Sequence, residues 1–403
     1  HCNFTVCDAA AITTNAAKQP WSCEIIVTNS NITCDSTNHE AYPMDNCPIY
    51  MNVAGNLTID NCVITGQRQG VMVRTGTAKI TNTTIINTGE YIDLDSADLH
   101  LDGAWGSGNE VPMAALVVGN RENSSYSYAT NVTVENCTLI SEREEVPAIY
   151  VWGNPTEDAR VNLTVDRFTY DNMQGSFAGA LKDTDDCFVT VNLPDGIKFI
   201  HDMQDFKACL EAGGHYVLPH GEHVLTAYVN LIGDVASVLD VKFGVAVTFT
   251  SLGIIDLNGN SSLTINSDGS ILNDFDSEYG MIVCAYDNST LTVNGGYYLG
   301  GITCFQAGNR NDGGEQVSTI NVNGGYFEVL DTYDGRYWTL NLNDNSGGEI
   351  CVSGGTFVNY DPCNSDTENP SDNFLADGYT VISETNEAGE TIYTVVSAED
   401  AAE

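Results

Sequence analysis

The sequence predicts an all-β fold made of two tandem right-handed parallel β-helix (solenoid) domains, the second opening with a short capping helix. Three observations predict it. Short segments of alternating apolar and polar residues recur at a nearly constant interval, each turns at Asn or Gly-Gly, and a helical period appears in one short stretch only. Alternation with a period of two is typical of half-buried strands. A repeat of about 20–50 residues indicates a solenoid or a propeller.

The first half of the 403 residues contains four related segments. They begin at Leu57 (Leu-Thr-Ile-Asp-Asn-Cys-Val-Ile), Ile80, Val132 and Leu163, at intervals of 23, 52 and 31 residues, and the middle interval fits two repeats. A propeller blade needs four strands in about 40–45 residues, so these units are too short for one. Stacked parallel coils fit the length, and parallel crossovers favour the right hand.

The second half repeats a related segment with a different corner. Its copies begin at Leu263, Leu291 (Leu-Thr-Val-Asn-Gly-Gly-Tyr-Tyr), Ile320 and Ile350, at intervals of 28, 29 and 30 residues. Each copy turns at Asn or Gly-Gly and then resumes an apolar or aromatic strand. The pattern predicts a second solenoid whose like residues stack in ladders.

A short amphipathic helix is predicted between the two halves. From Asp202 to Ala212 the spacing of i, i+3 and i+4 places Phe206, Cys209 and Leu210 on one face, and Gly-Gly follows. A solenoid end exposes strand edges and core, so it must be covered. A cap in the middle of the chain therefore predicts that a new domain starts there.

The predicted domains are residues 1–195 and 196–403. The second begins with the cap at 197–225 and closes with a hairpin at 378–396, whose turn lies near Asn386–Gly389. The first has a cysteine-rich start.

The unit at 57–66, Leu-Thr-Ile-Asp-Asn-Cys-Val-Ile-Thr-Gly, resembles a rung of the pectate-lyase-like right-handed β-helix superfamily. The segment of helix, Gly-Gly and strand at 197–225 resembles the N-terminal cap with which its members start. The resemblance covers most of the chain. It implies a fold and no particular activity, because many functions share this fold.

Charge excludes several classes of function. The chain has 14 Lys and Arg against 55 Asp and Glu, a formal charge of −41. Nucleic-acid binding requires a cationic face, so no nucleic-acid partner is expected. No apolar run approaches the roughly 18–20 residues of a membrane span, so no membrane insertion is expected. Acidic polysaccharides would also be repelled at long range.

Cysteines and glycosylation sequons predict a secreted protein of the extracellular space or of a cell or virion surface. None of the thirteen cysteines forms a Cys-x-x-Cys pair, and five lie within the first 47 residues; the alternative to disulfides is a set of buried thiols. The disulfide candidates are Cys2, Cys7, Cys23, Cys34 and Cys47. Asn-x-Ser/Thr predicts N-linked glycans at Asn3, Asn31, Asn56, Asn82, Asn123, Asn131, Asn136, Asn162, Asn260 and Asn288.

No catalytic site is predicted. Asp185 and Asp186 are the remaining candidates, because Asp-Asp-Cys187 resembles a segment of polygalacturonase-type hydrolases, which use grouped carboxylates as acid and base. The other elements of that family are missing: no Asn-Thr-Asp precedes the segment, no Gly-His-Gly follows, and no Arg-x-Lys is found. A lyase would need calcium-binding aspartates beside a basic residue, and no such motif is present.

No cofactor is predicted, with calcium as the alternative. His215, His220 and His223 are candidate metal ligands, but alternation along a strand separates His220 from His223. Calcium prefers carboxylate and carbonyl oxygens. The acidic segments that offer them are Asp274–Glu278, Asp331–Asp334 and Asp361–Glu368.

The expected function is that of a non-catalytic extracellular structural glycoprotein that self-associates into a homopolymer such as a filament, fibre or coat. The segment Asn3–Thr14 is a candidate exchanged strand, with Cys2 or Cys7 bonding between chains. One alternative is a carbohydrate-binding or adhesive module that uses loop aromatics such as Trp152 and Trp338. The other is a polysaccharide lyase or glycoside hydrolase on the same fold.

Overall fold

A computed structural model of the chain confirms the all-β expectation, with 57% of it in strands. Many of these strands pair in parallel. The described residues are 2–6, 10–14, 23–35, 47–89, 113–120, 128–153, 157–183, 187–250, 254–275, 280–310, 315–344, 346–368 and 370–402.

The chain divides into two compact units. Unit 1 is His1–His201 with Pro219–Gly221, and unit 2 is Asp202–Leu218 with Glu222–Glu403. The domain boundary expected after residue 195 lies a few residues before this division.

Unit 1 consists mainly of short strands. In chain order they are β1 (Cys2–Val6), β2 (Ile12–Thr13), β3 (Cys23–Thr28), β4 (Ser30–Cys34), β5 (Ile49–Met51), β6 (Gly55–Asp60), β7 (Val63–Gly66), β8 (Gln69–Val73), β9 (Gly76–Thr81), β10 (Thr84–Asn87), β11 (Ala114–Val118), β12 (Thr130–Glu135), β13 (Thr138–Ser141), β14 (Ile149–Val151), β15 (Val161–Val165), β16 (Phe177–Gly179), β17 (Val189–Asn192) and β18 (Lys198–Phe199).

Three parallel sheets receive the first seventeen strands in rotation. Sheet A has the order β1-β4-β7-β10-β13, sheet B the order β2-β5-β8-β11-β14-β16, and sheet C the order β3-β6-β9-β12-β15-β17. Between β15 and β16, the chain passes through the short helix α1 (Arg167–Asp171) and returns to sheet A in a single parallel bridge of Gln174 to Ile140.

Inward residues of unit 1 stack in rows from strand to strand. Leu57 of β6 aligns with Ala78 of β9, and Val132 of β12 aligns with both Ala78 and Leu163. All four side chains are almost fully buried. Left-handed Asn residues make the corner between sheets C and A, with φ near 50° at Asn29, Asn61, Asn82 and Asn136. Asn tolerates this conformation better than other residues with a side chain.

Unit 2 begins with the helix α2 (Met203–Ala212). The side chain of Asp202 accepts a hydrogen bond from the backbone N–H of Gln204 at 2.8 Å, and Gly213 at φ 81° ends the helix. Phe206 and Leu210 are fully buried where α2 packs against two later strands, Tyr228–Ile232 and Ala236–Val241.

Its strands, in chain order, are β19 (Gly214–Val217), β20 (Gly221–Leu225), β21 (Tyr228–Ile232), β22 (Ala236–Val241), β23 (Val245–Phe249), β24 (Ile254–Asn258), β25 (Ser262–Ser267), β26 (Ser270–Asn273), β27 (Met281–Tyr286), β28 (Thr290–Gly300), β29 (Thr303–Gly308), β30 (Ser318–Val329), β31 (Leu340–Leu342), β32 (Gly348–Val352), β33 (Gly355–Val358), β34 (Tyr379–Thr385) and β35 (Thr391–Ser397). The sheet β21-β24-β27-β29-β31 is parallel.

Two long strands join the other strands of unit 2 into one large sheet. The first part of β28 pairs with β25 and the second with β26, and β30 pairs likewise with β32 and β33. The bend in β28 lies at Gly295 and Gly296, which both have positive φ. Tyr298, Phe327 and Phe357 form an inward aromatic row in which neighbouring rings stack at 5.2 and 4.8 Å.

An antiparallel hairpin of β34 and β35 ends the sheet, and β35 pairs with β33. The hairpin turn runs through Asn386, whose side-chain oxygen accepts from the backbone of Glu390 at 2.9 Å. Over the residues described, neither α-helix has the length and apolar character needed to cross a membrane.

Candidate functional site

The first strands of the three sheets in unit 1 form an open edge. Among the described residues, β1, β2 and β3 each pair on one side only. Phe4 continues the inward row of Ile32 and Ile64, yet it is 48% exposed, whereas both isoleucines are fully buried. The row of core side chains therefore ends at an accessible apolar surface.

Two more exposed side chains lie on these first strands. Ile26 of β3 is 64% exposed on the outward face of its strand, in register with Thr58, and Cys2 of β1 is an exposed thiol. We call Cys2, Phe4 and Ile26 the edge patch. An accessible strand edge with apolar side chains offers both backbone hydrogen bonds and buried area to another strand.

Unit 2 also has strands that pair on one side only in the described part of the chain. One of them is β34, the outermost strand of its sheet. Ile382 on β34 is 50% exposed and Tyr379 is 37% exposed. β34 is therefore a second strand with accessible backbone groups.

A cavity of about 330 Å³ lies on the outward side of unit 2, beside β28, β30 and the hairpin. Tyr297, Tyr337, Glu328 and Glu390 line it together with the half-exposed Leu330. The hydroxyl of Tyr297 donates to Glu328 at 2.9 Å, and burial together with that carboxylate raises the pKa of Tyr297. The cavity therefore combines aromatic and apolar surface with two carboxylates.

A second polar cluster lies on the outward side of the sheet that begins with β21. Arg310 forms an ion pair with the buried Asp256, donates to Asn258, and lies over the ring of Tyr286 at 4.6 Å. The hydroxyl of Tyr228 donates to the same Asp256 carboxylate.

The electrostatics of this cluster favour its present charges. Burial raises the pKa of Tyr286, and Cys284 and Asp256 raise it further. Burial alone would lower the pKa of Arg310, but contacts with Tyr228 and Asp256 raise it. The arrangement keeps the tyrosines neutral and the guanidinium charged.

Two of the three histidines, His215 and His220, have separate partners. His215 Nε2 lies 2.7 Å from Asp240 Oδ2. His220 Nδ1 lies 2.7 Å from the hydroxyl of the buried Ser176, and its Nε2 lies 3.1 Å from the carbonyl oxygen of Glu145. Within the described residues, no group of three or more His, Cys, Asp or Glu side chains is arranged to hold a metal ion, and this includes His223.

Other predicted site residues have mixed positions. Asp185 and Asp186 lie outside the described residues, as do Cys7 and Asn123. Trp152, a candidate sugar platform, is 5% exposed and packs in a cluster with Met72 and Tyr150, so it is not accessible. Trp338 packs against Arg336 and Tyr333 in a loop that is partly accessible.

No disulfide joins two of the described cysteines. Cys34 and Cys47 are buried, and burial raises the pKa of Cys47 well above its usual value, with a further contribution from Cys34. Cys2 is exposed and Cys23 is half-buried. The disulfides expected among the first five cysteines stay a prediction.

Eight of the nine described sequon asparagines form side-chain pairs on the surface. The amide of Asn31 donates to Asn3, Asn136 to Asn82, Asn162 to Asn131 and Asn288 to Asn260. Such ladders result from like residues at matching positions of neighbouring strands and corners.

The sequence reasoning missed the cavity and the Arg310 cluster. One signal was available: Gly-Gly-Tyr-Tyr and Gly-Gly-Tyr-Phe place Tyr297 and Tyr326 at the same position of successive repeats, and the two rings stack at 5.8 Å. Comparison with protein-family models, with curated proteins and with solved structures finds no match.

Proposed function

We propose that this protein is a secreted structural glycoprotein whose copies assemble end to end through the edge patch, without a catalytic role. The observation that carries the proposal is the open edge of unit 1, where Phe4 ends a fully buried row and is itself half exposed. Burying Phe4 and Ile26 would contribute roughly 2–3 kcal/mol in all, because full burial of such a side chain contributes about 1.5–3 kcal/mol.

The fold we infer for each unit is a right-handed parallel β-helix similar to the pectate-lyase-like superfamily. In support, the chain of unit 1 visits sheets A, B and C in a constant order, and each strand pairs in parallel with the strand one rotation later. Parallel crossovers are right-handed in nearly all proteins. Such a coil can be extended by any strand that pairs in register with its end.

The occupant of the open edge is a second copy of this chain. The edge strand β34 belongs to unit 2, so contact between β1 of one copy and β34 of the next would be heterologous. A heterologous contact that does not close into a ring produces a filament. Because the charge is −41, assembly should strengthen with added salt or divalent cations.

A charge placed on the edge patch tests assembly. Ile26→Lys puts a cation on the outermost strand, whereas Val63→Lys puts the same charge on the half-exposed outward face of β7, which is paired on both sides. Light scattering and negative-stain microscopy of the parent chain should show filaments or oligomers that Ile26→Lys reduces at least tenfold and Val63→Lys leaves in place. A parent chain that stays monomeric at every concentration and salt level would reject the proposal.

The exposed thiol of Cys2 allows a covalent contact between the β1 strands of two copies, which differs from the contact between β1 and β34 and has its own test. Oxidation should produce a dimer on a non-reducing gel that is lost in Cys2→Ser and kept in Cys363→Ser, since both thiols are exposed. A dimer that survives Cys2→Ser would place the bond elsewhere.

Carbohydrate binding is the second candidate function, and the cavity favours it. Tyrosine rings pack on sugar faces, and the carboxylates of Glu328 and Glu390 accept from sugar hydroxyls. The carboxylates and the net charge favour neutral over anionic glycans. Tyr337→Ala should abolish retention on a neutral glycan array, whereas Tyr333→Ala, an exposed residue of the same loop outside the cavity lining, should not. Equal loss in both variants would contradict this site.

A further inference from the structure

Neighbouring coils bring sequon asparagines into contact on the surface. Asn3 and Asn31 are register partners on β1 and β4, and the amide of Asn31 donates to Asn3 at 3.1 Å. Asn131 and Asn162 are register partners on β12 and β15 and are joined at 2.9 Å.

Two further sequon pairs have the same contact. Asn82 and Asn136 are both left-handed corner residues, and the amide of Asn136 donates to Asn82 at 2.6 Å. The amide of Asn288 donates to Asn260 at 3.4 Å. Asn82 and Asn260 in turn donate to Asp60 and Asp234, so each pair belongs to a longer ladder.

We propose that each of these four sequon pairs carries at most one N-linked glycan in the folded protein. Glycosylation modifies Nδ2 of an asparagine. In one member of each pair, Nδ2 is also the atom that donates the hydrogen bond to the neighbouring asparagine. Adjacent strands lie about 4.8 Å apart. Two glycans rooted on adjacent ladder positions would have to occupy the same space, and a glycan directed at the neighbouring Oδ1 would break the ladder bond.

The pairing also indicates which sites the fold accepts. Asn56 is exposed on β6, and its register partners are Glu24 and Thr77, so it has no asparagine neighbour. In two pairs, Asn3 and Asn131 are the acceptors, whose oxygen can keep the ladder bond after their own Nδ2 is modified. One glycan per pair, together with Asn56 and Asn123, sets a limit of six glycans on the ten sequons.

The inference rests on the secretion that the proposed function assumes, but its test does not depend on assembly. The full chain with a signal peptide is expressed in a glycosylating secretory host. The secreted, folded fraction is trimmed to single N-acetylglucosamine residues and weighed intact. A mass corresponding to six or fewer residues is expected, and seven or more would overturn the limit.

Matched variants test exclusion within one pair. Thr133→Val removes the Asn131 sequon while keeping Asn131 itself, so occupancy of Asn162 should rise at least about twofold. Thr77 is the register partner of Asn131 on the other side and is not part of a sequon. Thr77→Val should therefore leave the glycan occupancy of Asn162 unchanged. The proposal would be overturned if Thr133→Val did not change the glycan occupancy of Asn162. It would also be overturned by a molecule that carries glycans at both Asn131 and Asn162. Loss of filaments without any change in these occupancies would affect only the assembly proposal.

Discussion

Truncation of two adjacent aromatic residues on β30 should have very different effects on stability. Phe327 points inward and is fully buried, whereas Tyr326 points outward and is 37% exposed. The ring of Phe327 lies 5.2 Å from Tyr298, 4.8 Å from Phe357 and 5.8 Å from Phe305. Tyr326 has one stacked neighbour, Tyr297, at 5.8 Å.

We expect Phe327→Ala to lower the free energy of unfolding by about 3–5 kcal/mol, the usual loss for a buried Phe that leaves a cavity. Tyr326→Ala should cost less than about 1.5 kcal/mol, because it removes one stacked pair and half-exposed surface. For a unit of this size, with a urea m-value near 3 kcal/mol/M, the buried truncation should move the urea midpoint by roughly 1–1.7 M.

Circular dichroism during urea unfolding measures both variants against the parent chain. The transition that Phe327→Ala moves is assigned to unit 2, because the mutation lies there. Equal shifts in the two variants, or a larger one for Tyr326→Ala, would refute the inward and outward assignment. A slip of one residue in strand register exchanges the two faces completely, so this comparison is sensitive to it.

Three further changes have expected outcomes. Gly55→Ala should destabilise unit 1 by more than about 2 kcal/mol in urea unfolding, because the new Cβ would lie 2.0 Å from the carbonyl oxygen of Cys23. Gly335→Ala, which has positive φ and open space, should cost about 1–2 kcal/mol, and equal losses would contradict the clash. Burial raises the pKa of the Cys284 thiol to about 12, so iodoacetamide at pH 8 should label it at least tenfold more slowly than the exposed Cys363 by mass spectrometry; equal rates would show that Cys284 is accessible. Burial raises the pKa of Glu368, so its carboxylate weakens the folded state as pH rises through that pKa; Glu368→Gln should raise the melting temperature at pH 7 and not at pH 3, and a gain at both would contradict this cause.

The sequence predicts those parts of the fold that depend on alternation and interval. Leu291, Ile320 and Ile350 begin successive repeats, and they are register partners in the structure. Helix α2 lies within the segment whose spacing predicts a helix, and β34 and β35 lie on either side of the expected turn. These features depend on the spacing of apolar residues along the chain, which can be seen in a single sequence.

Alternation fails where both faces of a strand are covered. In β27, Ile282, Val283, Cys284 and Ala285 are all buried, so no polar face marks the strand. The same holds for β8, where all five residues are buried. Alternation in the sequence therefore identifies only the strands that have one face in solvent, and it does not reveal the buried strands of the three sheets.

The candidate sites were harder to predict because they depend on contacts between residues that are far apart in the sequence. Tyr228 and Asp256 are 28 residues apart, Tyr297 and Glu328 are 31 apart, and His215 and Asp240 are 25 apart. The metal hypothesis instead compared histidines within one short segment, and the structure gives these histidines different neighbours.

In a chain with this repeat, the partner of a polar side chain should be sought one repeat away, at an interval of about 23–31 residues. That search finds most of the asparagine ladders, since Asn266 and Asn294 are 28 residues apart and Asn294 and Asn323 are 29 apart. It misses Asn82 and Asn136, which are 54 residues apart. It does not find the edge patch, because the exposure of Phe4 depends on whether another strand lies beyond β1 at the edge of sheet A. A repeat specifies how each strand pairs with the strand one repeat later, but it specifies no partner for the first and last strands of a sheet. These edge strands are therefore where binding of another chain should be sought first.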